Sequence, residues 1–493
     1  MQGEGCIYLP SIMNQHQPPA WKDVRAAFQK IWGYDDFRPP QGEIISCLLA
    51  EKDALIIMPT GGGKSICFQL PALLQTGLTL VVSPLVALME NQVQELRQRN
   101  LSAALLHSEL PSSQRRAVLQ ALERQQLRLL YLSPETLLSA PVWERLCQPQ
   151  LKINGLILDE AHCLVQWGDT FRPAYRRLGA VRPALLKFKP QGTHISVAAF
   201  TATADPLAQK TIKEVLRLEQ PAFFRVNPYR SNLNPSVRIV WTPRGRKQHL
   251  LKFIQERKQE PGLVYVRTRR DSENLAEWLR EKGYSTTSYH AGLGAEERRA
   301  VEASWLSGKI PFVVCTCAFG MGINKPDVRW VIHFHAPHLL SEYVQEIGRA
   351  GRDGKPAQAL MLISEPTGWL DPEDKQRQRF FEDRMRKQQL DAQQLMKKLP
   401  KKGEVNAVAK QFPDSAVALS LLHSSGQLNW LNPFEYIIEE SRPKQLTTQL
   451  NAAKQMNQYL TTKQCRWQFL LNAFGFDKEA ANWRCGHCDN CRK

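Results

Sequence analysis

The chain has 493 residues, of which 43% are hydrophobic and 23% charged, so it can hold about three domains with cores of their own and is not globally disordered. Its 65 Lys and Arg against 47 Asp and Glu give a formal charge of +18, which points to a polyanionic partner; a merely soluble basic surface is the alternative on charge alone. No run of about 18 apolar residues occurs, and the start lacks a basic stretch leading into an apolar one, so neither a membrane span nor a secretory leader is expected.

Short apolar runs alternate with helical patterns through the first three-quarters of the chain. ALIIMP (54–59), TLVVSP (79–84), LRLLYLSP (127–134), GLILDE (155–160) and HISVAAFTAT (194–203) are each too short for a typical helix and lead into polar or Gly/Pro turns. They predict buried strands of a parallel sheet. A second series, GLVYVRT (262–268), STTSYH (285–290), PFVVCT (311–316), WVIHF (330–334) and ALMLIS (359–364), follows a linker at VNPYRSNLNP (226–235). The fold class expected is therefore α/β, with two successive parallel-sheet domains over 1–227 and 228–365. Beyond 365 the stretch 371–402 is charged and helical. The stretch 403–440 carries two short amphipathic helices around Pro413 and then an alternating run with an Asn-Pro turn. A winged-helix module and a plain helical spacer both fit that segment, 366–460.

MPTGGGKS (58–65) follows the strand ALII and opens a helix, the setting of a P-loop. Thr60, Gly61, Gly62 and Gly63 form the turn whose backbone N–H groups close on phosphates, Lys64 reaches the terminal phosphates, and Ser65 ligates Mg²⁺. Met58 stands where the usual motif has its first Gly. In LILDEAHCL (156–164), Asp159 is placed to hold Mg²⁺ and Glu160 to polarise the attacking water; alone, two acids after a strand are common helix N-terminal residues. YVQEIGRAGRDG (343–354) supplies Arg352 as an arginine finger with Arg349 as its helper, provided the two domains close on one nucleotide.

Seven of the eleven cysteines (Cys6, Cys47, Cys67, Cys147, Cys163, Cys315 and Cys317) are scattered, which suits a reducing compartment. The other four, Cys465, Cys485, Cys488 and Cys491, give C-x19-C-x2-C-x2-C. The two-residue spacings let sulfurs face one tetrahedral Zn²⁺, closed and therefore structural, in a module at 461–493. His487 is expected not to be a ligand.

GYDDFRPPQGEII (33–45), MPTGGGKS, SPLVALMENQV (83–93), SPETL (133–137), DEAHCLVQWGDTFRPAY (159–175), FTATAD (200–205), FGMGINKPDVRWVIH (319–333) and QEIGRAGRDG (345–354) occur in order. Together they resemble the RecQ family of superfamily 2 DNA helicases over roughly residues 25–365 and again at the terminal cysteines. The resemblance implies two tandem RecA-like lobes, ATP as fuel, and 3′–5′ movement on single-stranded DNA with unwinding of duplex or branched DNA in recombination and repair. It implies that Tyr34 stacks on adenine beside Arg38 and Gln41, and that Thr201 and Thr203 link hydrolysis to lobe movement. Gly320, Gly322 and Asp327 would lie near nucleotide and DNA backbone, and Gln345 would face the γ-phosphate. Trp167, Phe171 and Arg172 match the family's aromatic-rich loop, which senses single strands; Asp169 and Thr170 replace its usual His-Asp. A monomer, at home in the cytoplasm or nucleoid of a bacterium or the nucleus of a eukaryote, with single-strand-binding or repair proteins as further partners, completes the expectation. The candidate winged helix at 390–440 would stand ahead of the cysteines rather than behind them. Its helix 414–425 has no Lys or Arg and is suited to packing. An RNA helicase, and a DNA-stimulated ATPase that tethers without unwinding, are the competing functions.

Overall fold

A computed structural model of the chain describes residues 19–492 apart from 167–172, 258, 321–322, 324 and 440–447. The described chain gathers into two compact units. The first takes 62–226 with the described parts of 1–58 and 389–446; the second takes Asn227–Gln388 and Thr447–Lys493 with the turn Pro59–Gly61. Sequence patterning divides the chain into four successive segments, whereas contacts divide it into two discontinuous ones that share the 366–460 stretch between them.

In the first unit, β1 (Ala54–Ile57), β2 (Leu78–Val82), β3 (Ala103–Leu106), β4 (Leu129–Leu132), β5 (Ile153–Leu158), β6 (Ser196–Thr201) and β7 (Ala222–Arg225) form one sheet in the order β3-β4-β2-β5-β6-β1-β7. All its pairings are parallel. The first six strands are buried throughout, as helices on both faces require. Asp53 pins one end of the sheet. Its buried carboxylate accepts from Arg182 at 2.7 Å and from the backbone N–H groups of Val197 and Glu219 at 2.8 and 2.7 Å.

The second unit holds β8 (Leu233–Val240), β9 (Gly262–Tyr265), β10 (Thr286–Tyr289), β11 (Phe312–Cys315), β12 (Trp330–His333) and β13 (Ala357–Ser364). Their order is β10-β11-β9-β12-β13-β8, again all parallel. β8 begins inside the expected linker. Pro235 and its exposed positions hide it in the sequence, and as an edge strand it tolerates both.

The segment after the second sheet resolves into helix Glu373–Met396, β14 (Lys402–Glu404), helices Val405–Gln411 and Ser415–Ser424, β15 (Leu428–Asn432) and β16 (Glu435–Ile438). The three strands form an antiparallel sheet in the order β14-β16-β15. This element order and sheet order are those of a winged helix, not of a helical spacer. Helix Ser415–Ser424 is not free to enter a groove. Ala418, Leu419, Leu421 and Leu422 are buried in one cluster with Ala180, Trp430 and Tyr436. Phe434 meets Trp143 edge-on at 5.1 Å, Arg177 donates to the Pro433 carbonyl at 3.3 Å, and Arg217 donates to the Trp430 carbonyl at 3.2 Å. The module is thus part of the first unit's packing. Among the described residues no helix is long and apolar enough to cross a membrane.

Candidate nucleotide and zinc sites

The turn after β1 leads into helix Lys64–Leu74, so backbone N–H groups of its first turn point out of the carboxyl edge of the sheet. Gly63 closes the turn at φ +79°, and a Cβ there would lie 2.2 Å from Gln41 Nε2. Gln41 is itself buried and fixed at both ends. Its oxygen accepts from Arg38 N at 3.0 Å and its amide donates to the Gly62 carbonyl at 3.0 Å. The motif that resembles an adenine clamp is therefore tied to the phosphate turn. Tyr34 is 52% exposed, with its ring 5.8 Å from that of Phe28, and Arg38 is exposed. Lys64 donates to the Met58 carbonyl at 3.4 Å, and Ser65 follows it, half-buried, in the same helical turn.

Asp159 and Glu160 follow β5 directly and both are buried. Burial first, then the neighbouring Glu160 charge, push the Asp159 carboxyl up to about 6, against the pull of Lys64. A carboxylate so placed gains most from a cation, which fits Mg²⁺. Glu160 lies at φ +50°, left-handed backbone that non-glycine residues seldom take. Its carboxylate meets His162 Nδ1 at 3.1 Å, and the same nitrogen lies 3.1 Å from Thr201 Oγ1. Thr201 Oγ1 in turn donates to the Thr203 carbonyl at 3.1 Å and accepts from Thr203 N at 3.2 Å. His162 thus joins the acidic pair to the Thr-Ala-Thr segment. The sequence reading passed over it, although its place two residues after Glu160 was the available signal.

In the second unit, Arg349 is buried against Gly320, where φ is +93° and a Cβ would lie 2.6 Å from the guanidinium. Arg352 donates to the Gly348 carbonyl at 3.4 Å and the Ile323 carbonyl at 3.1 Å. Burial, then the charges of Arg349 and Arg230, lower its pKa to about 10. Arg230 donates to the Gly348 carbonyl at 3.2 Å and also to Gly351. Sequence reading placed Arg230 in a linker; here it is the third member of an arginine cluster that an anion would relieve. Gln345 is half-buried on helix Leu340–Ile347, and Asp327 is exposed and paired with Lys325 at 3.3 Å. Behind this helix Glu346 accepts from Arg267 at 3.2 Å and pairs with His333 at 2.7 Å. Gly322, Trp167, Phe171, Arg172 and the departures Asp169 and Thr170 lie outside the described residues.

Cys465, Cys485, Cys488 and Cys491 converge with all four sulfurs within 4.8 Å of one another. The Cys485–Cys491 and Cys465–Cys488 separations are 3.9 and 4.0 Å. Tetrahedral zinc with Zn–S near 2.3 Å needs sulfurs about 3.8 Å apart, so the set fits. Backbone N–H groups of Cys485, Cys488 and Arg466 donate to three of the sulfurs at 3.2, 3.3 and 3.4 Å, as thiolate ligands require. His487 turns instead to the Tyr229 hydroxyl at 3.2 Å. Asp489 fixes the knuckle to β8, accepting from Val237 N at 3.0 Å and from Arg466 at 2.9 Å, while Trp467 donates to the Leu233 carbonyl at 3.1 Å.

Three family profiles match: the DEAD/DEAH box helicase over residues 38–211, the helicase conserved C-terminal domain over 245–354, and RecQ zinc-binding over 431–492. The chain is 54% identical over 472 residues to the ATP-dependent DNA helicase RecQ of Synechocystis sp., covering 95% of this chain and 98% of that one. It is 37% identical over 376 residues to that of Pasteurella multocida, where it spans 75% of this chain and 57% of the relative. Among solved structures, the helicase MrfA bound to DNA superposes with a TM-score of 0.58 at 20% identity over 69% of this chain and 51% of that one. The Mycobacterium smegmatis helicase Lhr bound to single-stranded DNA and AMP-PNP gives 0.56 at 19% over 88% and 61%. At such identities these likenesses speak for the two RecA-like lobes alone.

Proposed function

The chain belongs to the RecQ family of ATP-dependent DNA helicases, and from that premise we propose that it is a DNA-stimulated ATPase that moves 3′ to 5′ along single strands and unwinds duplex or branched DNA. The observation that carries the reading is the joined site on the first unit, where Gln41, the phosphate turn, Asp159, Glu160, His162 and Thr201 are linked by hydrogen bonds and charge. In this reading Tyr34, Arg38 and Gln41 bind adenine, and Thr60 to Ser65 bind the phosphates. Ser65 and Asp159 would hold Mg²⁺, which supplies charge neutralisation at the β- and γ-phosphates. Glu160 orients the attacking water, with His162 fixing its carboxylate. His162 also carries the state of Glu160 to Thr201 and Thr203.

On the second unit Arg352 serves as the arginine finger, Arg349 as its helper and Gln345 as the group facing the γ-phosphate. Gly320 and Asp327 belong to the same nucleotide-facing edge. Trp167, Phe171 and Arg172 are the proposed single-strand sensor, and the four cysteines hold a structural Zn²⁺. The substrate is DNA in single-stranded or branched form, recognised by backbone and stacking rather than by sequence.

The test is a forked-duplex unwinding assay with ATP, alongside ATPase rates with single-stranded DNA and RNA. The wild type should separate strands, and Lys64→Ala should lower both ATPase and unwinding by about 10²-fold or more, because the lysine meets the transferred phosphoryl charge. ATP hydrolysis with DNA but no strand separation would leave only the tether. Stronger stimulation by RNA would favour the RNA helicase.

A further inference from the structure

The carboxyl ends of β8 and β13 carry an aromatic perch that none of the nucleotide or zinc chemistry uses. Trp369 is 90% exposed, the most exposed large apolar side chain among the described residues. Leaving an indole in water forfeits the gain of burying it, so a loop that holds one there invites a reason.

The loop is rigidly made. Glu365 N donates to the Val240 carbonyl at 3.0 Å, tying the loop's start to the end of β8. The Glu365 carboxylate is folded inward and accepts from Thr367 N at 2.6 Å and Leu370 N at 3.1 Å, while Trp369 N donates to Thr367 Oγ1 at 3.3 Å. Lys375 donates to the Thr367 carbonyl. At the far end, fully buried Arg246 pairs with Asp371 and Asp374 at 3.0 Å each, and Asp374 also accepts from Ser364 N at 2.7 Å. With both ends tied and its inner N–H groups satisfied, the turn presents Trp369 in one place.

The surroundings choose the occupant. Trp241, the residue after β8, is 62% exposed, and Leu370 is 57% exposed. Arg244 and Lys247 on helix Pro243–Gln255, and Lys375 and Arg379 on helix Glu373–Met396, are exposed, and the pairing of Arg246 with Asp371 and Asp374 ties the starts of these two helices together. The nearby carboxylates are turned inward: Glu365 to its own loop, Asp371 and Asp374 to Arg246, and Glu373 to His335 and Arg377. An outward face of indoles and cations with its acids withdrawn suits a chain that carries π-faces on a phosphate backbone, and repels an acidic-rimmed competitor less than it attracts such a strand. All six strands of this sheet are parallel, so the perch stands on the same carboxyl edge as Arg267 and Thr268 after β9 and Thr316 after β11, the edge at which open α/β sheets bind ligands.

We infer that the loop Glu365–Asp371, with Trp369 as stacking platform and Trp241, Arg244 and Lys375 beside it, is a single-stranded nucleic-acid contact on the second unit. The inference rests on the DNA-helicase reading above and adds a site to it. The test measures binding of a labelled thymidine oligonucleotide of roughly 30 nucleotides by anisotropy across a salt series, with ATPase rates in its presence and absence, for the wild type, Trp369→Ala, Trp369→Phe and Arg244→Ala/Lys375→Ala. Trp369→Ala should bind about 5- to 100-fold more weakly with its DNA-free ATPase unchanged, and Trp369→Phe should recover most of that loss. The double cation variant should flatten the log–log salt slope by about 1.4. Equal affinity in the wild type and Trp369→Ala, or an unchanged slope in the double cation variant, would overturn the inference. A wild type whose ATPase ignores the oligonucleotide would instead sink the helicase reading beneath it.

Discussion

Glu160 holds a left-handed backbone at φ +50° while its carboxylate is engaged by His162, an arrangement that costs on the order of 1 kcal/mol of strain and fixes one acid orientation. A side chain held this way needs no reorganisation to position water, which is what the proposed role in phosphoryl transfer asks of it. Arg352 poses the complementary case. It is crowded by Arg349 and Arg230, and burial, then their charges, lower its pKa, so an incoming anionic γ-phosphate would remove repulsion as well as gain attraction. We therefore expect Arg352→Ala to lower kcat for ATP by about 10³-fold while leaving ATP affinity within a few-fold, measured by steady-state kinetics and by binding of a non-hydrolysable analogue. At this scale much of the proposed site is legible in the sequence. Lys64, Ser65, Asp159 and Glu160 stand in short contiguous motifs whose strand–turn–helix setting shows in the pattern. His162 and Arg230 were not read, because each acts through a partner distant in sequence: Thr201 for the first, and Gly348 and Gly351 for the second.

Elements tell a similar story in a different currency. Strands buried on both faces announce themselves as apolar runs, and those runs coincide with β1, β2, β4, β5, β6 and β9 to β13. β8 escaped because edge exposure and Pro235 break its pattern, β7 because it is an edge strand and only partly buried, and β3 because its sequence AALL has no β-branched residue and suits a helix as well. The winged-helix-like module illustrates what sequence withholds: its helix lacked basic residues, but only the fold shows which surface absorbs it. His423 sits within that module beside Trp430 at 6.0 Å. Burial, then the charges of Arg176 and Arg217, lower its pKa to about 3. Because the folded value lies below the unfolded one near 6.5, the unfolded chain takes up the proton first, and stability present above pH 6.5 is lost as pH falls toward 3. Each pH unit in that window should remove up to about 1 kcal/mol, and His423→Gln should flatten the dependence in thermal melts between pH 7 and 5. The zinc knuckle invites a second measurement. About one zinc per chain is expected by atomic absorption, and Cys488→Ser should lose it together with the anchorage of Asp489 and Trp467 to β8. A zinc-free variant with an unchanged melt would show that the hydrogen bonds alone hold the knuckle.

For the whole molecule, the charge of +18 sets how DNA affinity answers to salt. With roughly six phosphates neutralised on a single strand, binding should weaken by about 10²- to 10³-fold between ~50 and ~200 mM monovalent salt. A nearly flat response would mean that stacking, not charge, dominates. The excess charge was evident from composition, whereas its placement was not: at the second sheet's carboxyl edge it is the inward turn of Glu365, Asp371 and Asp374 that leaves the outer face cationic.

The first unit is built from segments that the ribosome makes far apart in time. The described residues of 389–446 pack with those of 62–226, yet all of 227–388 is synthesised between them. At ~5–20 residues per second that interval is on the order of ten seconds or more. Throughout it, Trp143, Ala180 and the carbonyl-seeking Arg177 and Arg217 wait without Phe434, Trp430 and Pro433 to meet them. The second lobe must therefore emerge, and has time to fold, while the first still has an uncovered apolar face. A nascent chain stalled before residue 389 should bind a hydrophobic dye or a chaperone at that face, and one released after 446 should not.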